Sequence, residues 1–70
     1  MKSLIWLKDI RIKKGLTQED VGVLIGGSRE QYNAYENGRV NPQDYTKHKI
    51  ALALEFDVDL WNEAQDHAVN

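Results

Sequence analysis

The sequence predicts an all-α fold, a compact bundle of about five short helices. Residues that start and stop helices divide the 70-residue chain into short segments, and apolar residues within them recur at helical spacing. No stretch alternates apolar and polar residues while also gathering β-branched or aromatic residues, as a strand does. We assign residues 1–66 to a single domain and residues 67–70 to a frayed tail.

The first two helices are predicted from their apolar faces and their ends. The apolar face of the first helix consists of Leu4, Leu7 and Ile10. Gly15 then ends it. Thr17 is the predicted N-cap of the second helix, with Asp20 at the third helical position to form a capping box. The apolar face of that helix consists of Val21, Gly22, Leu24 and Ile25. Gly26-Gly27 ends it.

The third helix is predicted to begin after the N-cap Ser28 and to end at Asn37-Gly38. Ser28 and Gln31 have capping-box spacing, so we expect the Gln31 side chain to fold back onto the Ser28 amide. A cap of this kind prevents Gln31 from also contacting a ligand. Tyr32 and Tyr35 share the inward face of the helix.

Two further helices are predicted in the last part of the chain. Pro42 precedes the fourth, whose inward stripe consists of Ile50, Ala51 and Leu54. Asp57 or Asp59 is expected to cap a short fifth helix. Tyr45 and Leu52 lie on the fourth helix opposite the inward stripe. The last helix or another subunit is expected to cover Tyr45 and Leu52. The other candidate surface for a partner consists of Val58, Leu60 and Trp61.

Composition and charge exclude several classes of function. The chain has no cysteine and only two histidines, so neither a disulfide nor a metal site is predicted, and no cofactor. No nucleophile–base set or phosphate loop indicates an enzyme. No apolar run approaches the ~20 residues of a membrane span, and a cytoplasmic location is expected. The net charge of −2 is unusual for a nucleic-acid-binding protein, but it divides into +2 for residues 1–40 and −4 for residues 41–70.

The second and third helices, joined by a tight glycine turn, have the arrangement of a helix-turn-helix. The distinctive motifs are Gly15-Leu16-Thr17-Gln18-Glu19-Asp20-Val21, Gly26-x-Ser28-Arg29, Tyr35-Glu36-Asn37-Gly38, Asn41-Pro42 and Ile50-Ala51-x-Ala53-Leu54. From about Leu7 to Trp61 the chain resembles the phage-repressor and Cro-like (XRE-type) family. The resemblance implies a lambda-repressor-like DNA-binding domain whose third helix enters the major groove of double-stranded DNA.

The outward face of the third helix carries side chains suited to reading bases. At about 100° per residue this face consists of Arg29, Glu30, Asn33, Ala34 and Asn37. Arginine can pair with guanine, asparagine with adenine, and glutamate with cytosine, while a small alanine allows contact with a thymine methyl group. Such a face is often only a solvated surface, but within a helix pair that resembles this family we expect base readout.

The resemblance also implies roles for residues around the third helix. Gln18, Arg39 and Asn41 are expected to contact the DNA backbone, and Gln18 to support Arg29. Arg11 and Glu36 are expected to form a structural salt bridge between the first and third helices. Gly27 departs from the family, which usually has an apolar residue there, and we expect it to remove a core contact and loosen the angle between the two helices.

These expectations favour a sequence-specific transcriptional regulator, most simply a small Cro/CI-like repressor of a phage or mobile element. It would occupy a two-fold symmetric operator as a homodimer and need no small-molecule ligand. A second possibility remains open, a protein-interaction module on the same fold, such as an antitoxin or anti-repressor with weak or no DNA binding. The acidic C-terminal third, Gly27 and the Tyr45/Leu52 face favour that alternative.

Overall fold

The structure is a computed structural model, and it describes residues 3–63. The helices in this range are α1 (Ile5–Lys13), α2 (Gln18–Leu24), α3 (Arg29–Glu36) and α4 (Asp44–Leu54). A fifth helical segment, α5, covers residues 59–63 at the edge of the range. The predicted all-α bundle with a helix-turn-helix is confirmed. The expected tail, residues 67–70, lies outside the described residues.

The ends of α2 follow directly from local sequence signals. The Thr17 hydroxyl accepts a hydrogen bond from the Asp20 amide at 3.0 Å, and the Asp20 carboxylate accepts one from the Thr17 amide at 2.9 Å. The bond from the backbone of Thr17 holds the pKa of Asp20 below its ordinary value. Gly15 and Gly38 have positive φ angles of 74° and 80°, which allow the chain to turn after α1 and α3.

The ends of α4 are less regular. Gln43 precedes the helix without a side-chain cap, and at the other end Glu55 adopts a left-handed conformation with φ of 60°. The Phe56 amide then donates back to the Ala51 carbonyl at 3.0 Å. Asp57, rather than Asp59, caps α5, because its carboxylate accepts a hydrogen bond from the Asp59 amide at 2.9 Å.

The core draws on all five helices. Its buried apolar side chains are Leu7, Val21, Ile25, Tyr32, Tyr35, Ile50, Leu54 and Trp61. Leu24, which we placed on the apolar face of α2, is instead 58% exposed. In the part of the chain that the structure describes, no helix has the length and apolarity to cross a membrane.

Trp61 is a core residue, which corrects its assignment to a candidate partner surface. Its side chain is fully buried, and its ring centroid lies 5.2 Å from that of Trp6 and 6.4 Å from that of Phe56. The ammonium group of Lys47 lies 5.6 Å from the same ring. Trp61 therefore closes the bundle and has no face left for another subunit.

Candidate nucleic-acid interface

Gly22 marks the closest approach of α2 to α3. A Cβ atom at Gly22 would lie 2.6 Å from both the carbonyl carbon and the carbonyl oxygen of Ser28, and 2.9 Å from the nitrogen of Arg29. These are backbone atoms, so they cannot rotate aside as the end of a flexible side chain does. Because Ser28 caps α3 and Arg29 begins it, the missing side chain of Gly22 determines where α3 starts against α2.

Gly27 does not remove a contact from the core, contrary to our expectation. The residue is exposed, and a Cβ atom there would meet the side chain of Gln31 and then the carbonyl oxygen of Gly22. None of these nearest atoms belongs to a core side chain. The structure corrects the expectation that Gly27 removes a core contact, and the closest approach of α2 to α3 is at Gly22 instead.

Arg11 and Glu36 form a bidentate ion pair between α1 and α3. Two guanidinium nitrogens of Arg11 donate to the Glu36 carboxylate at 2.8 and 3.1 Å, and a third donates to the Leu16 carbonyl at 2.8 Å. The side chains are only 11% and 6% exposed, respectively. Burial by itself raises the pKa of Glu36, but the hydrogen bonds that it accepts, first from Arg11, outweigh this and hold the pKa below its ordinary value.

Gln18 joins this ion pair, which corrects one of its expected roles. Its side-chain amide donates to Glu36 Oε1 at 3.1 Å. We expected Gln18 to support Arg29, but the hydrogen bond goes to Glu36 instead. The half-buried Gln18 thereby attaches the first residue of α2 to the last residue of α3.

The outward face of α3 lies at the surface, opposite its two buried tyrosines. Arg29 and Glu30 are exposed at the start of the helix, whereas Asn33, Ala34 and Asn37 are half-buried along it. Tyr32 and Tyr35, on the other side, are 0% and 7% exposed. The helix therefore keeps its polar side chains available while its aromatic side chains fix it to the core.

Asn37 has a local structural role that limits what it can bind. The residue follows α3 as its C-cap, and its side-chain oxygen accepts hydrogen bonds from the backbone nitrogen and from Nε of Arg39, at 3.2 and 3.3 Å. Bidentate pairing with adenine needs both the oxygen and the nitrogen of the carboxamide. Asn37 can therefore read adenine in this way only after it releases Arg39.

The side chain of Gln31 does not complete the expected capping box. Ser28 does cap α3, because its hydroxyl accepts a hydrogen bond from the Gln31 amide at 3.1 Å. The Gln31 side chain, however, donates to the Tyr35 hydroxyl at 3.2 Å, one helical turn later. This corrects the prediction that Gln31 folds back onto Ser28, because the bond from its side-chain nitrogen holds the carboxamide near Tyr35 instead.

Two open crevices lie beside the first residue of α2. The Arg29 crevice, of about 580 Å³, is lined by Arg11, Ile12, Gly15, Leu16, Thr17, Gln18, Glu19 and Arg29. The Lys8 crevice, of about 350 Å³, is lined by Ser3, Leu4, Lys8, Arg11, Gln18, Asn33, Glu36 and Asn37. They share Arg11 and Gln18, so the two crevices and the outward face of α3 form one continuous surface. Arg39 and Asn41 are exposed in the loop that follows α3.

Comparison with known proteins identifies the family. A family model described as helix-turn-helix matches residues 7–61, most of the chain. This chain belongs to the XRE-type helix-turn-helix family. An uncharacterised HTH-type transcriptional regulator, YqaF of Bacillus subtilis (strain 168), is 38% identical over 58 residues, which cover 83% of this chain and 76% of that protein.

A second relative is the uncharacterised HTH-type transcriptional regulator y4dJ of Sinorhizobium fredii (strain NBRC 101917 / NGR234). It is 42% identical over 45 residues, which cover 64% of this chain and 58% of that protein. Both relatives are named HTH-type transcriptional regulators, and membership of the family implies DNA-binding regulation.

Sequence reasoning missed two residues that position α3 in this helix-turn-helix domain. Gly22 was assigned only to an apolar face, although a glycine inside a helix costs about 1 kcal/mol relative to alanine and therefore indicates a packing reason. Gln18 was predicted to contact the DNA backbone and to support Arg29. No local signal in the sequence indicates its bond to Glu36. That bond depends on a contact between residues 18 positions apart.

Substitution of Gly22 tests its contact with Ser28. We expect Gly22→Ala to lower the free energy of unfolding by about 1–3 kcal/mol, because the new methyl group overlaps backbone atoms. Gly27→Ala is the matched control, and it should change stability by less than about 1 kcal/mol, since only the flexible Gln31 side chain must move. Urea unfolding followed by circular dichroism measures both. Equal effects of the two substitutions would contradict the contact.

The Glu36 ion pair predicts a specific dependence on pH. Because the folded-state pKa of Glu36 lies below its ordinary value of 4.5, its stabilising effect is complete above that value and is lost as the pH falls through the folded-state pKa. Glu36→Gln should cost about 3 kcal/mol at pH 7, and the gap in unfolding free energy from wild type should narrow as the pH falls below 4.5. Glu19→Gln, at an exposed site, is the control in urea unfolding across this range. A gap for Glu36→Gln that stays constant with pH would refute the assignment.

Proposed function

We propose that the chain is a sequence-specific DNA-binding transcriptional regulator that occupies an operator through α3. Its simplest form is a small Cro/CI-like repressor, which acts in the cytoplasm by blocking access to the operator. The observation that carries the proposal is the outward face of α3, whose polar side chains remain at the surface while Tyr32 and Tyr35 are buried. Membership of a family of transcriptional regulators supports it.

Each residue of the outward face has a role that fits its chemistry. Arg29, exposed at the start of α3, presents a guanidinium group for the O6 and N7 atoms of guanine. Glu30 beside it accepts a hydrogen bond from cytosine, and Asn33 pairs with adenine. Ala34 allows close approach to a thymine methyl group. Asn37 reads a base only through its amide nitrogen as long as its oxygen holds Arg39.

Contacts to the DNA backbone complete the proposed interface. Arg39 and Asn41 are exposed in the loop after α3, and Gln18 lies between the two crevices. Contacts of this kind set the register of a protein on the duplex but carry no sequence information. Within residues 3–63, neither Arg29 nor Arg39 forms an ion pair, so both positive charges are available to DNA.

We propose further that two copies bind a two-fold symmetric operator. One recognition helix contacts few base pairs, and a symmetric dimer places two such helices in half-sites roughly 34–36 Å apart. The surface proposed for the second copy is the α2–α4 groove, of about 440 Å³, lined by Leu24, Ile25, Gly26, Lys49, Leu52 and Ala53. Leu52 is 83% exposed there and Tyr45, on the same helix, 61%. Val58 and Leu60 are half-buried and add less apolar surface.

A protein-interaction module is the second candidate function. The same α2–α4 groove favours it, since an apolar groove can accept a segment of another protein as well as a second copy. The acidic residues in the C-terminal third of the chain are consistent with a domain that has lost affinity for DNA. DNA-binding measurements separate this candidate from the regulator.

The base readout is tested in two steps. A preferred duplex is first selected from a pool of random duplexes, and affinities are then measured for the selected duplex and for a scrambled one. We expect Arg29→Ala to weaken binding to the selected duplex by about 1–3 kcal/mol and to relax the preference at one base position. Lys13→Ala, which removes an exposed charge outside both crevices, is the control. If Arg29→Ala, Asn33→Ala and Arg39→Ala all bind like wild type, base readout by α3 is refuted. A wild-type chain that binds no duplex would favour the interaction module.

Sedimentation equilibrium tests the self-association. We expect Leu52→Glu to shift the chain from dimer to monomer, because it places a charge in the apolar α2–α4 groove. Ile5→Glu changes an equally apolar side chain, 65% exposed on α1 and outside the groove, and should leave the dimer intact. A wild-type chain that stays monomeric at every concentration, with or without DNA, would exclude the dimer.

A further inference from the structure

We propose that Lys8 binds a DNA phosphate and thereby makes α1 part of the DNA-binding surface. This inference rests on the proposed function and extends it to a helix that neither the sequence nor the family resemblance assigned to DNA. Lys8 lines one crevice, Arg29 lines the other, and Gln18 lines both. The two cations therefore belong to adjoining parts of one surface.

The position of Lys8 beside α3 follows from the residues that line its crevice. Asn33 and Asn37, which belong to the outward face of α3, line the crevice together with Lys8. Gln18, at the start of α2, lines it as well. A duplex that brings base edges to Asn33 therefore also brings its backbone close to the mouth of this crevice. An exposed lysine at that mouth is within reach of a phosphate.

Two attachments to Glu36 hold α1 in place on either side of Lys8. The Leu4 amide donates to the Glu36 carbonyl at 2.7 Å, and Arg11 donates to the Glu36 carboxylate at 2.8 Å. Leu4, the N-cap of α1, precedes Lys8 by four residues and Arg11 follows it by three, so all three lie along one side of the helix. The base of the Lys8 side chain is thus fixed relative to the end of α3, and only its flexible stem remains to adjust.

The charge of Lys8 is not neutralised by the protein around it. Among residues 3–63, Lys8 is in no ion pair. The residues one helical turn away from Lys8 are Leu4, Ile5, Arg11 and Ile12, none of which is acidic. Among the described residues that line the crevice, Glu36 is the only carboxylate, and it is paired with Arg11. A compact ammonium group on a flexible stem suits a phosphate, which it binds as a point charge.

Lys13 provides a matched control on the same helix. It is exposed like Lys8, but it lies five residues later, about 140° around the helix, and lines neither crevice. Lys8→Gln and Lys13→Gln therefore remove the same charge from the same helix. Any general effect of net charge on DNA binding appears in both variants, and only a local phosphate contact distinguishes them.

The experiment measures the affinity of the 70-residue chain for DNA as a function of salt concentration. It compares wild type with Lys8→Gln, Lys8→Arg and Lys13→Gln, each on a selected and a scrambled duplex. Each phosphate contact contributes about −0.9 to the slope of log affinity against log salt. We expect the slope for Lys8→Gln to be less steep by about 0.9 on both duplexes, since a phosphate contact carries no sequence information. As the salt concentration rises from 50 to 200 mM, the ratio of wild-type affinity to Lys8→Gln affinity should fall about threefold to fourfold. Lys8→Arg and Lys13→Gln should keep the wild-type slope.

The outcomes separate this inference from the function on which it rests. Equal slopes for Lys8→Gln and Lys13→Gln, with wild type still bound to the selected duplex, would overturn the role of Lys8 and leave the regulator intact. Wild type that binds no duplex at any salt concentration would overturn both proposals. Circular dichroism of each variant verifies that the substituted chains are folded.

Discussion

The ion pair between Arg11 and Glu36 is the contact at which four parts of the domain meet. Arg11 also donates to the Leu16 carbonyl in the loop before α2, and Gln18, the first residue of α2, donates to the same carboxylate. The Leu4 amide adds a bond to the Glu36 backbone. Partly buried ion pairs contribute little net stability, but removing one partner is costly. We therefore regard this pair as the contact that selects one arrangement of α1, α2 and α3 over others.

A second constraint acts at the opposite end of α3. The ion pair holds the last residue of the helix, and the close approach of Gly22 to Ser28 fixes its start. A short helix that is held at both ends, with Tyr32 and Tyr35 buried between them, has one orientation about its own axis. The outward face, the two crevices and the proposed contacts of Arg29 and Lys8 all depend on that orientation.

The sequence predicts features that depend on neighbouring residues better than those that depend on packing. Thr17 and Ser28 cap their helices as expected, because the cap and its partner are three residues apart. Leu24 and Trp61 were misplaced, since their exposure depends on which helices cover them. The roles of Gly27 and Gly22 were predicted wrongly for the same reason, because they also depend on how the helices pack. Helical periodicity placed Tyr32 and Tyr35 correctly, but it gives no information about the bond from Gln18 to Glu36.

We propose that the outward face of α3, held by Glu36 and Gly22, contacts DNA. Titration of the ¹⁵N-labelled chain with a selected duplex, followed by amide chemical shifts, tests this contact. We expect the largest changes at Arg29 and Asn33 on α3, and at Lys8 and Gln18 beside it, with a scrambled duplex producing smaller changes. Changes confined to the α2–α4 groove around Leu24 and Leu52, with α3 unaffected, would contradict it.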